Sequence, residues 1–146
     1  MDINWNTIAS IATAIGVALG VVQLHLSKKL AQTQFEDSLV QQYRVLAKDI
    51  PVDCLIGKEV SQEQWPDIRE LIFNYLDLSN EQIALRANRR IGKKTWKDWK
   101  DGIIENLDKP AFSRLWDEVK ESSPGTFSFL EKLELSGFND DPKSWR

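Results

Sequence analysis

Few side chains in this 146-residue chain have types and spacing that could do chemistry. The one histidine, His25, lies inside an apolar run, and the one cysteine, Cys54, has no second thiol to pair with. With no histidine in the remainder of the chain, a Ser/His or Cys/His nucleophile pair cannot be assembled there. No cluster of cysteine and histidine has the spacing of a zinc site. A lone thiol is expected as a small buried apolar group, and the lack of paired cysteines favours a reducing compartment. There is no phosphate-cradling glycine loop, no dinucleotide fingerprint, no nucleophile elbow and no H-E-x-x-H helix. Asp77, Glu81, Asp98 and Asp101 could in principle exchange protons, but acidic residues at helical spacing read more simply as solvated faces or caps. The expectation is a non-enzyme without cofactor or metal.

Charge is the one unevenly distributed property. Residues 84–100 hold Arg86, Arg89, Arg90, Lys93, Lys94, Lys97 and Lys100 against Asp98 alone, a net +6, while residues 28–83 and 101–146 are each −4. Such a block suits an anionic ligand or partner: lipid headgroups, a nucleotide phosphate or an acidic protein. The plainer account is a basic helix end paired with its acidic flanks. A net charge of −3 argues against general nucleic-acid binding. Trp96 and Trp99 stand inside the block, where an aromatic ring could stack on a base. Their spacing with Ile103 equally fits core packing.

These residues need helices to position them. Pro66 suits a first helical position, and Ile68, Leu71, Ile72, Tyr75 and Leu76 give the following segment an apolar face that can run to Arg90, with Gly92 as the stop. Thr95-Trp-Lys-Asp98 is read as a capping box opening the next helix, whose face is Trp96, Trp99, Ile103 and Leu107. Pro110 starts another, with Phe112, Leu115, Trp116 and Val119 inward. After the turn Ser122-Ser-Pro-Gly125, Thr126 is positioned to cap a last helix bearing Phe127, Leu130 and Leu133. Residues 137–146 are expected to form a flexible tail.

Upstream, Ile8–Leu26 are nineteen residues without formal charge, about 28 Å of helix and close to a bilayer core. Trp5 precedes the run and Lys28–Lys29 follow it. That order is the reverse of a cleavable signal peptide and fits an uncleaved signal-anchor with its N-terminus outside and residues 28–146 in the cytoplasm. Ala9, Thr13, Gly16, Gly20, Gln23 and Ser27 share one face, and Gly16-x-x-x-Gly20 allows close helix–helix approach, so a homo-oligomer is expected. Beyond Leu26 no breaker precedes Lys48, and Ala31, Phe35, Leu39, Tyr43, Leu46 and Ile50 continue as an apolar stripe until Pro51.

The segment Asn74–Trp116 carries Leu78, Asn80-Glu81-Gln82, Arg86, Arg90-Ile91-Gly92, Trp96, Trp99, Gly102-Ile103, Pro110, Phe112 and Trp116. This pattern resembles a family of small bacterial and prophage-borne proteins of unknown function, whose members look membrane-anchored. The resemblance implies no activity. It leaves Asn80, Glu81 and Gln82 as a polar helix cluster needing partners or a ligand.

The fold class expected is therefore all-α: a transmembrane anchor over residues 1–27 continuing into a cytoplasmic bundle of about four to five helices over residues 28–136. The function expected is a membrane-anchored interaction or regulatory module of a bacterial inner membrane, self-associating through Gly16 and Gly20. The alternative is a ligand-gated membrane effector, in a phage-defence or prophage system, that binds a small anionic signal at Arg86, Arg89, Arg90, Lys93, Lys94 and Lys97.

Overall fold

The charge-free run and the amphipathic stretch behind it form one helix, α1 (Trp5–Asp49), in the computed structural model, which describes residues 4–145. The Asn4 side chain accepts the Thr7 amide hydrogen at 3.3 Å ahead of its first turn. Pro51, which has no amide hydrogen, follows its last one. The chain separates into two compact units, Met1–Asp37 and Ser38–Arg146.

In the first unit α1 carries no formal charge from Ile8 to Leu26, and its large apolar side chains are exposed, Ile11 at 55%, Val17 at 62% and Leu24 at 72%. It is one helix, near the N-terminus, long and apolar enough to cross a membrane. The hydroxyls within it donate back to the helix, Ser10 to the Asn6 carbonyl at 2.8 Å and Thr13 to that of Ala9 at 2.9 Å. Neither hydroxyl therefore depends on water for a partner, which suits a segment in hydrocarbon.

The second unit is built around α3 (Trp65–Ala87). Ile72, Leu76 and Ile83 along it are completely buried. The helices α4 (Lys93–Leu107), α5 (Pro110–Ser122) and α6 (Ser128–Leu135) and a C-terminal 3-10 helix (Pro142–Ser144) pack upon it. A single turn, α2 (Val52–Leu55), contacts α5 and buries Cys54. From α1, Leu39 and Ile50 flanking its end are buried, with Tyr43 and Leu46 half-buried between them. Tyr75 meets Phe112 edge-on at 5.1 Å, and Phe73 and Trp116 border the buried Phe127. The described residues contain six α-helices and no strand, the all-α class expected from periodicity.

Four local expectations are corrected. Helix α3 ends at Ala87 because Arg89 adopts a left-handed backbone (φ 61°). The Arg89 and Arg90 amides then bond the Arg86 and Leu85 carbonyls at 3.0 and 2.9 Å. That is a Schellman stop with arginine where glycine is the usual occupant. Gly92 is instead the residue preceding α4, and Thr95 lies inside the first turn, so there is no Thr95–Asp98 capping box. Thr126 does not cap α6: the cap position is Phe127 and the polar cap comes from Asn80 of α3, described below.

The tail is the fourth correction. Pro142 is buried, the 3-10 helix packs on α3, and the Phe129 and Trp145 rings stack with centroids 6.4 Å apart. Residues 137–145 belong to the packed unit because Asp141 and Pro142 supply a charge partner and an apolar plug that local composition does not reveal.

Candidate functional site

The basic segment divides in two on folding. Arg86, near the end of α3, is 4% exposed. Its Nε donates to Asp141 Oδ1 at 2.7 Å, its Nη2 to Asp141 Oδ2, and its Nη1 to the Ile91 carbonyl at 2.7 Å. A guanidinium engaged on both edges is a structural clamp between the end of α3, the α3–α4 turn and the tail, with no donor edge left for an incoming phosphate. The Arg86 guanidinium holds the Asp141 carboxyl below the usual carboxylate range, against the opposing effect of partial burial. The candidate role of Arg86 as an anion ligand is therefore corrected.

The other cations project outward. Arg89, Lys93, Lys94 and Lys97 are exposed and, among the described residues, have no ion pair. Arg90 is exposed beside them. Lys100, half-buried, donates to the Phe138 carbonyl at 3.0 Å. Lys93, Lys94 and Lys97 border an open hollow of about 500 Å³ whose far side is Asn139, Asp140 and Asp141. The tail thus brings carboxylates to the segment that linear charge counting left wholly basic.

The Asn80-Glu81-Gln82 cluster does not converge. Successive helical residues point about 100° apart, and each finds a different setting. Asn80 Oδ1 accepts the amide hydrogens of Phe129 and Leu130 at 3.0 and 3.1 Å, satisfying two donors of the α6 N-terminus from another helix. Glu81 is exposed. Gln82 is 6% exposed and lines a cleft on the opposite side.

That cleft was missed by sequence reasoning. It encloses about 360 Å³ between the end of α1, α3 and α4. Tyr43, Trp99 and Ile103 give it apolar walls, and Gln82 and Asn106 give it polar ones. Asn106 is engaged at both ends: its Nδ2 donates to the Tyr75 hydroxyl at 2.9 Å and its Oδ1 accepts from Lys109 at 2.7 Å. Burial pushes the Tyr75 hydroxyl up to about 12, so it stays protonated. Gly102, also in the wall, sits mid-helix, where glycine costs about 1 kcal/mol relative to alanine. A Cβ there would meet nothing within 4 Å, so packing does not require the glycine. The sequence signal that could have found the cleft was this glycine between Trp99 and Ile103.

No family model, curated protein or solved structure matches this chain. The resemblance expected for Asn74–Trp116 has no support in these comparisons and assigns no role. Gly16 and Gly20 remain exposed on α1, with nothing within 4 Å of a Cβ added at either position.

Proposed function

We propose that the protein is a membrane-anchored, non-catalytic helical module of a bacterial plasma membrane. Its N-terminus is outside and its helical domain lies in the cytoplasm. The observation that carries this reading is α1, whose charge-free stretch from Ile8 to Leu26 exposes its large apolar side chains and is followed at once by Lys28 and Lys29. In water that surface would be strongly unfavourable. A bilayer removes the cost, and the flanking lysines set the orientation.

In this reading two surfaces remain for partners. The small-residue face with Gly16 and Gly20 is where a second copy packs, since close backbone approach gains contacts that lipid cannot supply. The projecting cations Arg89, Lys93, Lys94 and Lys97 form a docking knuckle for an acidic partner. Its lysines at the positive end of α4, with no acidic residue in the first turn, oppose the helix dipole at a cost to stability. An anion brought to that end would offset the cost. The clamp on Arg86 weighs against a gating ligand at this segment.

Orientation is tested with cysteine variants in a Cys54→Ala background, expressed in bacteria. A membrane-impermeant maleimide applied to intact spheroplasts labels Asn4→Cys and spares Glu63→Cys until the membrane is permeabilised. Release of the protein from membranes by alkaline carbonate, or labelling of Glu63→Cys in intact spheroplasts, contradicts the proposal.

A further inference from the structure

The cleft between the end of α1, α3 and α4 has features that its structural role does not use. Gln82 is more than nine-tenths buried, yet among the described residues its amide has no hydrogen-bond partner. No side-chain polar atom among the described residues is both fully inaccessible and unpaired, so the amide keeps its remaining accessibility through the cleft that it lines. Buried primary amides are ordinarily satisfied, because leaving a donor and an acceptor unpaired is costly. The indole N–H of the half-buried Trp99 likewise has no hydrogen-bond partner among the described residues. Neighbouring Asn106, by contrast, has both its nitrogen and its oxygen bonded, to Tyr75 and Lys109. The cleft thus presents a donor and an acceptor without a protein partner among the described residues, beside aromatic walls.

We infer that this cleft is a binding site for a small planar heterocycle of nucleobase type, held by the Gln82 amide and stacked against Trp99 or Tyr43. A carboxamide presents an N–H donor and a carbonyl acceptor side by side, which complements the adjacent acceptor and donor on the edge of a base. The aromatic walls supply the face contact. A volume of about 360 Å³ lies in the range of small-molecule clefts. At the rim Arg44 and Asp98 are both exposed and carry opposite charges, so the entrance has no net charge and suits a neutral ligand such as a nucleoside. Gly102 keeps the space open. This site lies apart from the Lys93, Lys94 and Lys97 knuckle and does not rest on the membrane reading.

The test uses the full-length protein in detergent and saturation-transfer NMR with adenosine, guanosine, cytidine and uridine in turn. The inference expects saturable binding of at least one nucleoside. Gln82→Met, close to the native shape but without the amide, weakens that binding about tenfold, the factor for one lost buried hydrogen-bonding pair. Gly102→Leu, whose side chain enters the cleft, abolishes it. Circular dichroism and the melting temperature confirm that both variants keep the fold. Failure of all four nucleosides to bind the native protein overturns the inference, and so does binding that survives unchanged in folded Gly102→Leu or Gln82→Met. If either variant unfolds, Trp99→Leu replaces it with the same expectation of weakened binding, and unchanged binding again overturns the inference.

Discussion

Among single residues, Arg86 and Asp141 form the pair that ties the end of α3 to the C-terminal segment. The arginine side chain is 5% exposed and the aspartate 41%, so the two halves of the pair are unequal. Removing the carboxylate strands a buried charge, whereas removing the arginine mainly frees an accessible one. Asp141→Ala is expected to destabilise the domain by about 3 kcal/mol, and Arg86→Met by less, since a flexible apolar chain fills the space and leaves the Ile91 carbonyl as the main unpaired group. Chemical denaturation of the two variants decides the order, and an Arg86→Met loss larger than that of Asp141→Ala contradicts it. The pair also makes stability depend on pH. The carboxyl of Asp141 is lowered in the folded state, so its contribution is complete above the unfolded value of about 4 and is lost as pH falls through the folded value. Asp141→Asn should flatten that acid limb in melting curves taken between pH 2 and 6.

Arg89 makes the opposite prediction. Its φ of 61° is a left-handed conformation that costs an L-residue, through its Cβ, about 1 kcal/mol and costs glycine far less. Arg89→Gly should therefore stabilise the domain by several tenths to about 1 kcal/mol, read as a higher melting temperature. Loss of stability would show that the arginine side chain makes a compensating contact.

At the element scale, helix α6 depends on a cap from outside its own sequence. It has eight residues, too few to stand alone, and two of its initial donors are satisfied by Asn80 of α3. Asn80→Ala should cost about 1 kcal/mol and raise amide exchange at Phe129 and Leu130 before it does so in α3. Uniform change across the domain would contradict a local cap. The bounds of α3 and α5 were close to what proline and apolar spacing indicate, because Pro66 and Pro110 fix starts by backbone chemistry alone. The start of α4 was misjudged because Thr95 and Asp98 carry capping letters in a segment that Gly92 and the Arg89 stop had already shaped. The cap of α6 and the packing of the tail were illegible for one reason: each is a contact across about 50 positions in sequence, between groups that look solvent-facing locally.

At the scale of the whole molecule, the all-α class with one long apolar N-terminal helix was readable because it rests on composition and periodicity. A charge-free run, then apolar stripes at helical spacing, can be little other than a long apolar helix followed by a helical domain. The candidate sites were less legible. Charge counting placed Arg86 with the outward-facing cations, although burial makes it part of the framework, and it overlooked Asp140 and Asp141 beside the lysines. The cleft under Gln82 was invisible because its walls come from three helices, and only Gly102 hinted at it. In the proposed function the apolar part of α1 both anchors the protein and brings copies of it together. The most direct measurement is the mass of the full-length protein in detergent, by light scattering, beside a Gly16→Leu/Gly20→Leu variant whose helical content is matched by circular dichroism. A defined oligomer that becomes a monomer in the variant is the predicted result. A native protein that is already monomeric, or an oligomer that both substitutions leave intact, would contradict it.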